Sequence, residues 1–125
     1  MSYRKVNYEA VDQVSSAMHF LSEPLETERV GVTVARCDPG WKSKPHDHTD
    51  NDHEEVYVLI EGDATVVVDD EPVDMETGDA LWLPPESTRQ IRNGEQESAF
   101  VLVSAPSIGD ENGDDDEWLL SGFAG

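Results

Sequence analysis

Cations are what this chain has least of. Lys and Arg number 8 against 28 Asp and Glu, a net charge of −20, and the only lysines are Lys5, Lys42 and Lys44. Binding nucleic acid through phosphate neutralisation needs clustered Lys and Arg, so that class is excluded. An anionic membrane surface is disfavoured on the same ground. Long apolar runs are also missing: the longest, such as Val56-Tyr57-Val58-Leu59-Ile60, are far too short to cross a bilayer. The single cysteine, Cys37, has no partner for an internal disulfide. Met1-Ser2-Tyr3-Arg4-Lys5 leads into polar sequence rather than an apolar leader core. The expected location is therefore the cytoplasm.

Aromatic residues make up only 7% of the chain. Few aromatics with high net charge can mean disorder. Here, however, the charges interleave with short alternating apolar stretches, the pattern of half-buried strands. The 125 residues suit one domain, able to bury roughly two-thirds of its unfolded surface. A folded domain this acidic reads as halophilic. Near 1 M salt the Debye length falls to ~3 Å, and repulsion between surface carboxylates fades.

A short helix is expected over residues 8–14. Beyond it the period drops to two, predicting strands over 18–21, 30–37, 55–60, 64–69, 72–75, 80–83, 88–92 and 99–104. Turn residues separate them, among them Glu61-Gly62-Asp63, Thr77-Gly78-Asp79 and Asn93-Gly94-Glu95. Regular short strands with Gly and Pro punctuation predict an all-β sandwich or barrel, with its core over about 18–105. Residues 110–117 are a charge run expected to be a solvated loop. Trp118, Leu119, Leu120 and Phe123 follow, an apolar segment expected to dock on its own barrel or on a second subunit.

Three of the four histidines fall in His46-Asp47-His48-Thr49-Asp50-Asn51-Asp52-His53-Glu54-Glu55. In a strand, residues two apart share a face, so His46 and His48 aim at one point. If the chain returns as the strand near Glu55, a carboxylate joins them, completing the two-imidazole, one-carboxylate arrangement of an open metal site. A closed structural zinc site lacks the cysteines it would need. His53 reads as an exposed loop residue, with a substitute-ligand role as the alternative.

The stretch from Gly40-Trp41-Lys42-Ser43-Lys44-Pro45-His46-Asp47-His48 through Glu55 to Gly62 resembles the first motif of the cupin superfamily, G-x5-H-x-H-x3-4-E-x6-G. The spacer from His48 to Glu55 is longer than in that motif. Residues 78–93 resemble the second motif, G-x5-P-x-G-x2-H-x3-N, with Gly78, Pro84 and Asn93 agreeing. Glu86 replaces a glycine, and Arg89 stands where the family has its fourth ligand, a histidine.

The resemblance implies a single small antiparallel jelly-roll β-barrel that binds a small molecule. It also implies a divalent metal ion at His46, His48 and Glu55. Arg89 cannot ligate a cation, which leaves two sites open. In one, three protein ligands hold the metal and Arg89 orients an anionic or hydroxylated substrate, the arrangement of a metal-dependent enzyme. In the other, Arg89 pairs with Glu55 in a metal-free, non-catalytic ligand-binding or sensing module. Tyr57 and Leu59 share Glu55's parity and should face inward, while Val56, Val58 and Ile60 face outward. Tyr57 and Trp82 complete the expected substrate pocket, Tyr57 chiefly by packing, with a place in an interface as the alternative for Trp82. Cys37, among valines, reads as a small buried hydrophobe. Open strand edges point to a homodimer.

Overall fold

The structure, a computed structural model, describes residues 2–106. The expectations for residues 110–117 and for Trp118, Leu119, Leu120 and Phe123 lie outside the described residues. Eight strands follow in order: β1 (Met18–Phe20), β2 (Gly31–Cys37), β3 (His53–Glu61), β4 (Ala64–Val68), β5 (Glu71–Met75), β6 (Ala80–Leu83), β7 (Arg89–Asn93) and β8 (Ser98–Pro106). They form two antiparallel sheets, ordered β1-β2-β8-β3-β6 and β5-β4-β7. This is the two-sheet all-β architecture that the strand pattern predicts, and the small antiparallel jelly roll that the resemblance implies.

Alternation along the strands builds one core between the sheets. Tyr57 and Leu59 of β3, Phe100 and Leu102 of β8, and Leu83 of β6 meet Val66 of β4, Met75 of β5 and Ile91 of β7. On β3 the inward parity is Glu55, Tyr57 and Leu59, whereas Val56, Val58 and Ile60 are half-buried or exposed. A one-residue slip would invert that assignment, so the apolar pattern sets the register.

Turn chemistry fixes the connections. Asp69 and Asp70, at φ 49° and 69°, make the two-residue link between β4 and β5, a geometry that Asp tolerates. The expected helix over 8–14 is only a 3-10 turn, Tyr8–Ala10. The Asn7 side chain accepts from Glu9 N at 2.9 Å at its start. It stops there because Val14 pairs instead with Met18, across Ser15 and Ser16 in the left-handed region. The link between β1 and β2 contains one helical turn, α1 (Ser22–Leu25), closed by Glu26 at φ 54°. Among the described residues, no helix is long and apolar enough to cross a membrane.

Candidate functional site

The site lies where β3 of one sheet approaches β7 of the other, and residues 41–48 connect them. This segment is not a continuous strand, because Lys44-Pro45 interrupts it, yet it runs along β7 as an irregular neighbour. Asn93 N donates to Trp41 O at 2.8 Å, Ser43 N to Ile91 O at 3.0 Å and His46 N to Arg89 O at 3.0 Å; Arg89 N returns a bond to His46 O at 2.8 Å. Side chains lock the register. Ser43 Oγ accepts from Ile91 N at 2.8 Å, and Gln90 Nε2 donates to Ser43 O at 2.9 Å. Buried Asn93 donates through Nδ2 to Cys37 O at 3.0 Å and Asp38 O at 2.7 Å, anchoring the point where β2 gives way to this segment.

His48 hangs from the β6–β7 connection, its N–H donating to Pro85 O at 2.9 Å. The long spacer after it closes on itself. Asp52 N donates to His48 O at 2.7 Å, and Asp52 takes φ 59°. That turn absorbs the additional residues, so β3 still begins in time to point Glu55 inward. Within it, Asp47 accepts from Thr49 N at 3.2 Å and Thr49 Oγ1 at 2.9 Å. These bonds, the backbone one first, hold the Asp47 carboxyl below its ordinary range.

The structure brings His46, His48 and Glu55 together. Their ligand atoms lie within 4.8 Å of one another, with His46 exposed, His48 half-buried and Glu55 buried. The group thus opens outward past His46 and closes against the core at Glu55. The rings of His46 and His48 sit edge to face, centroids 5.1 Å apart. Glu55 Oε1 gathers the neighbours: His48 Nε2 at 3.3 Å, Tyr57 Oη donating at 3.3 Å and Arg89 Nε at 3.8 Å. His48 Nε2 is close to that carboxylate without hydrogen-bonding to it. Burial, and then the Glu55 charge, push the Tyr57 phenol far above its ordinary value. Tyr57 therefore stays protonated and donates to Glu55.

Arg89 is 0% exposed. Its Nη2 donates to Pro84 O at 2.8 Å, while Nε and Nη1 are buried with no hydrogen-bond partner. Trp82 is not at the site, which corrects the expectation for that residue. Its register partner is Val56, on the outward parity of β3; it is 59% exposed and its indole donates to Glu54 Oε1 at 2.8 Å. His53 is no loop residue either. It opens β3, half-buried, with its ring stacked on His48 at 6.2 Å and outside the ligand group. Sequence reasoning missed the carbonyls of Pro84 and Pro85, which hold Arg89 and His48, because main-chain acceptors leave no compositional signal.

The donor set suits a metal ion. Two neutral imidazoles and one carboxylate are ordinary ligands for divalent transition metals, and buried His48 Nε2 has no other hydrogen-bond partner. A group that is open at His46 leaves coordination positions for water or a ligand.

Residues 33–105 match the cupin domain family. Among solved structures, a cupin protein from Bacteroides fragilis superposes with a TM-score of 0.74 at 22% identity, covering 93% of this chain and 95% of that one. A sugar phosphate isomerase of the cupin superfamily from Silicibacter pomeroyi gives 0.68 at 20% identity, covering 83% and 76%. The Cnp3 cupin domain of Schizosaccharomyces pombe gives 0.66 at 16% identity, covering 82% and 74%. At these identities the likeness establishes the fold alone. No curated protein matches the sequence.

Proposed function

The chain belongs to the cupin domain family, and from that premise we propose that it binds a small molecule beside a divalent metal ion held by His46, His48 and Glu55. The observation that carries this reading is the convergence of three ligand atoms within 4.8 Å, graded from exposed His46 to buried Glu55. A bound metal ion would supply a Lewis acid able to polarise a ligand oxygen. The chain's own residues do the rest. Tyr57 holds the Glu55 carboxylate by its hydroxyl, His48 is positioned from Pro85 O, and exposed His46 leaves the approach open. An anionic or hydroxylated ligand suits a cationic centre of this kind. A sugar phosphate, the substrate class in the name of one fold neighbour, belongs to that chemistry.

A second reading is supported by one distance. Arg89 Nε lies 3.8 Å from Glu55 Oε1, so Arg89 serves as a built-in counter-ion and the pocket works without metal as a ligand-binding or sensing module. Metal analysis and calorimetric titration of protein purified without a histidine tag separate the two. The metal reading expects one equivalent of zinc or nickel. Saturation at about 100 Kd should add about 2.7 kcal/mol of stability, and His48→Ala should abolish the shift. No binding in the wild type leaves the metal-free module. We also take the protein to be a cytoplasmic homodimer working in concentrated salt, a reading supported by its acidity and by exposed Trp82 on the outer sheet face.

A further inference from the structure

The larger sheet is apolar on both faces. Its outward parity lines up in two rows across β2, β8 and β3: Val32, Val103 and Val56, then Val34, Val101 and Val58. These valines are half-buried, apart from Val34, which is buried. A sheet with one face in water ordinarily alternates apolar with polar residues, and a continuous apolar run marks a strand covered on both sides. β3 and β8 carry such runs, Val56-Tyr57-Val58-Leu59-Ile60 and Ala99-Phe100-Val101-Leu102-Val103. None of the 28 Asp and Glu falls in the two rows. One end of the face is closed. Across Ala99, Arg36 Nη2 donates to Glu61 Oε2 at 3.0 Å, and its Nη1 donates to Tyr8 Oη at 3.4 Å. The other end, beyond Ala105, is where the central strand β8 leaves the sheet through Pro106.

We propose that segment 118–123 of the same chain docks on these two valine rows. Residues 107–125 lie outside the described residues, and their sequence carries Trp118, Leu119, Leu120 and Phe123 after the acidic run 110–117. The size of the patch favours this occupant over a second copy. Strands ~4.8 Å apart and rows ~7 Å apart give a patch of roughly 200 Å², whereas a standard interface buries about 800 Å² on each partner. One short apolar segment fills a patch of that size. Charge points the same way. A second copy brings another −20 to the contact, while a tethered segment brings no charge that the chain does not already carry. Reach is sufficient too. From Pro106 to Trp118 an extended chain spans up to ~40 Å, and a short tether holds its end segment at an effective concentration on the order of millimolar. Trp82 stands at the rim of the patch, opposite Val56, so its exposed indole is left for a contact between copies.

The test uses the full chain with Ser121→Cys carrying a nitroxide spin label, read by the relaxation of backbone amides in the nitrogen-15 spectrum. Native Cys37, 2% exposed, is shielded from the label. One sample holds nitrogen-15 and nitroxide in the same chain, diluted with an excess of unlabelled chain. The other mixes nitrogen-15 chains lacking nitroxide with nitroxide chains lacking nitrogen-15. The amides of Val32, Val103 and Val56 should lose most of their intensity in the first sample and keep it in the second. Loss in the mixed sample assigns the face to a second copy and overturns docking within one chain. Loss in neither sample, or loss confined to residues 46–53, overturns the docking itself. Removing residues 118–125 should also lower the melting temperature by about 5 °C. In Val56→Thr with Val103→Thr, which keeps shape but adds a hydroxyl at each position, the same removal should cost less than half as much. No change on removal, or an undiminished cost in the folded double variant, takes the segment off these rows.

Discussion

Cys37 shows how one side chain acquires a pH dependence from its surroundings. It is 2% exposed among core residues, and burial pushes its thiol up from 9.0 to about 11. The folded state thus holds this proton more tightly than the unfolded chain does. Below about pH 9 both states keep the proton and stability is complete. Above it the unfolded chain ionises first, so stability declines until the folded thiol also ionises near pH 11. Two pH units correspond to roughly 2–3 kcal/mol. Urea midpoints for the wild type and Cys37→Ala, followed from about pH 8 to about pH 11, should differ by a term that shrinks across that window. A pH-independent difference would mean that Cys37 ionises as freely in the fold as in the unfolded chain. Arg89 makes the opposite case at this scale. It cannot shed its charge, so its burial must be answered by partners.

Elements carry the site, and they were legible in the sequence to unequal degrees. Strand existence followed from period two and turn residues. β6 spans Ala80–Leu83, as its pattern predicts, and the parity of β3 places Glu55 and Tyr57 inward. Residues 41–48 were less legible, because Lys44-Pro45 breaks the alternation of a neighbour whose pairing is made by β7. Trp82 was misplaced because β6 is only four residues long, and its parity depends on a partner register that no local pattern reveals. A glycine states its role more plainly. Gly62, at φ +79°, sits at the tight turn after β3, where an added Cβ would collide with the Glu97 carbonyl oxygen. Gly62→Ala should therefore lose ~1–3 kcal/mol, or roughly 5–10 °C in melting temperature. Gly40→Ala is the control: its φ is +77° but no atom lies within 4 Å of the new Cβ, so about 1 kcal/mol is expected. Equal losses at both positions would show that backbone conformation alone, and not the approach of Glu97, sets the demand at Gly62.

At the scale of the whole molecule the governing quantity is the net charge of −20. Carboxylates crowd closer in the folded chain than in the expanded one, so their repulsion favours unfolding. The loop at the mouth of the site concentrates this effect, with Asp47, Asp50 and Asp52 all exposed within a few residues of His46 and His48. Asp47 is held below its ordinary range by the Thr49 bonds, so it remains ionised in mildly acidic buffer and does not relieve the repulsion by taking a proton. Added salt is the remaining route. Screening tightens as ionic strength rises, and salting-out anions further strengthen apolar burial. The melting temperature should climb steadily from dilute buffer towards molar potassium chloride, well past the first few hundred millimolar. Potassium sulfate at equal ionic strength should raise it further, because sulfate adds to burial as well as to screening. A midpoint that stays flat from dilute buffer to molar potassium chloride would remove salt adaptation as the explanation of this composition.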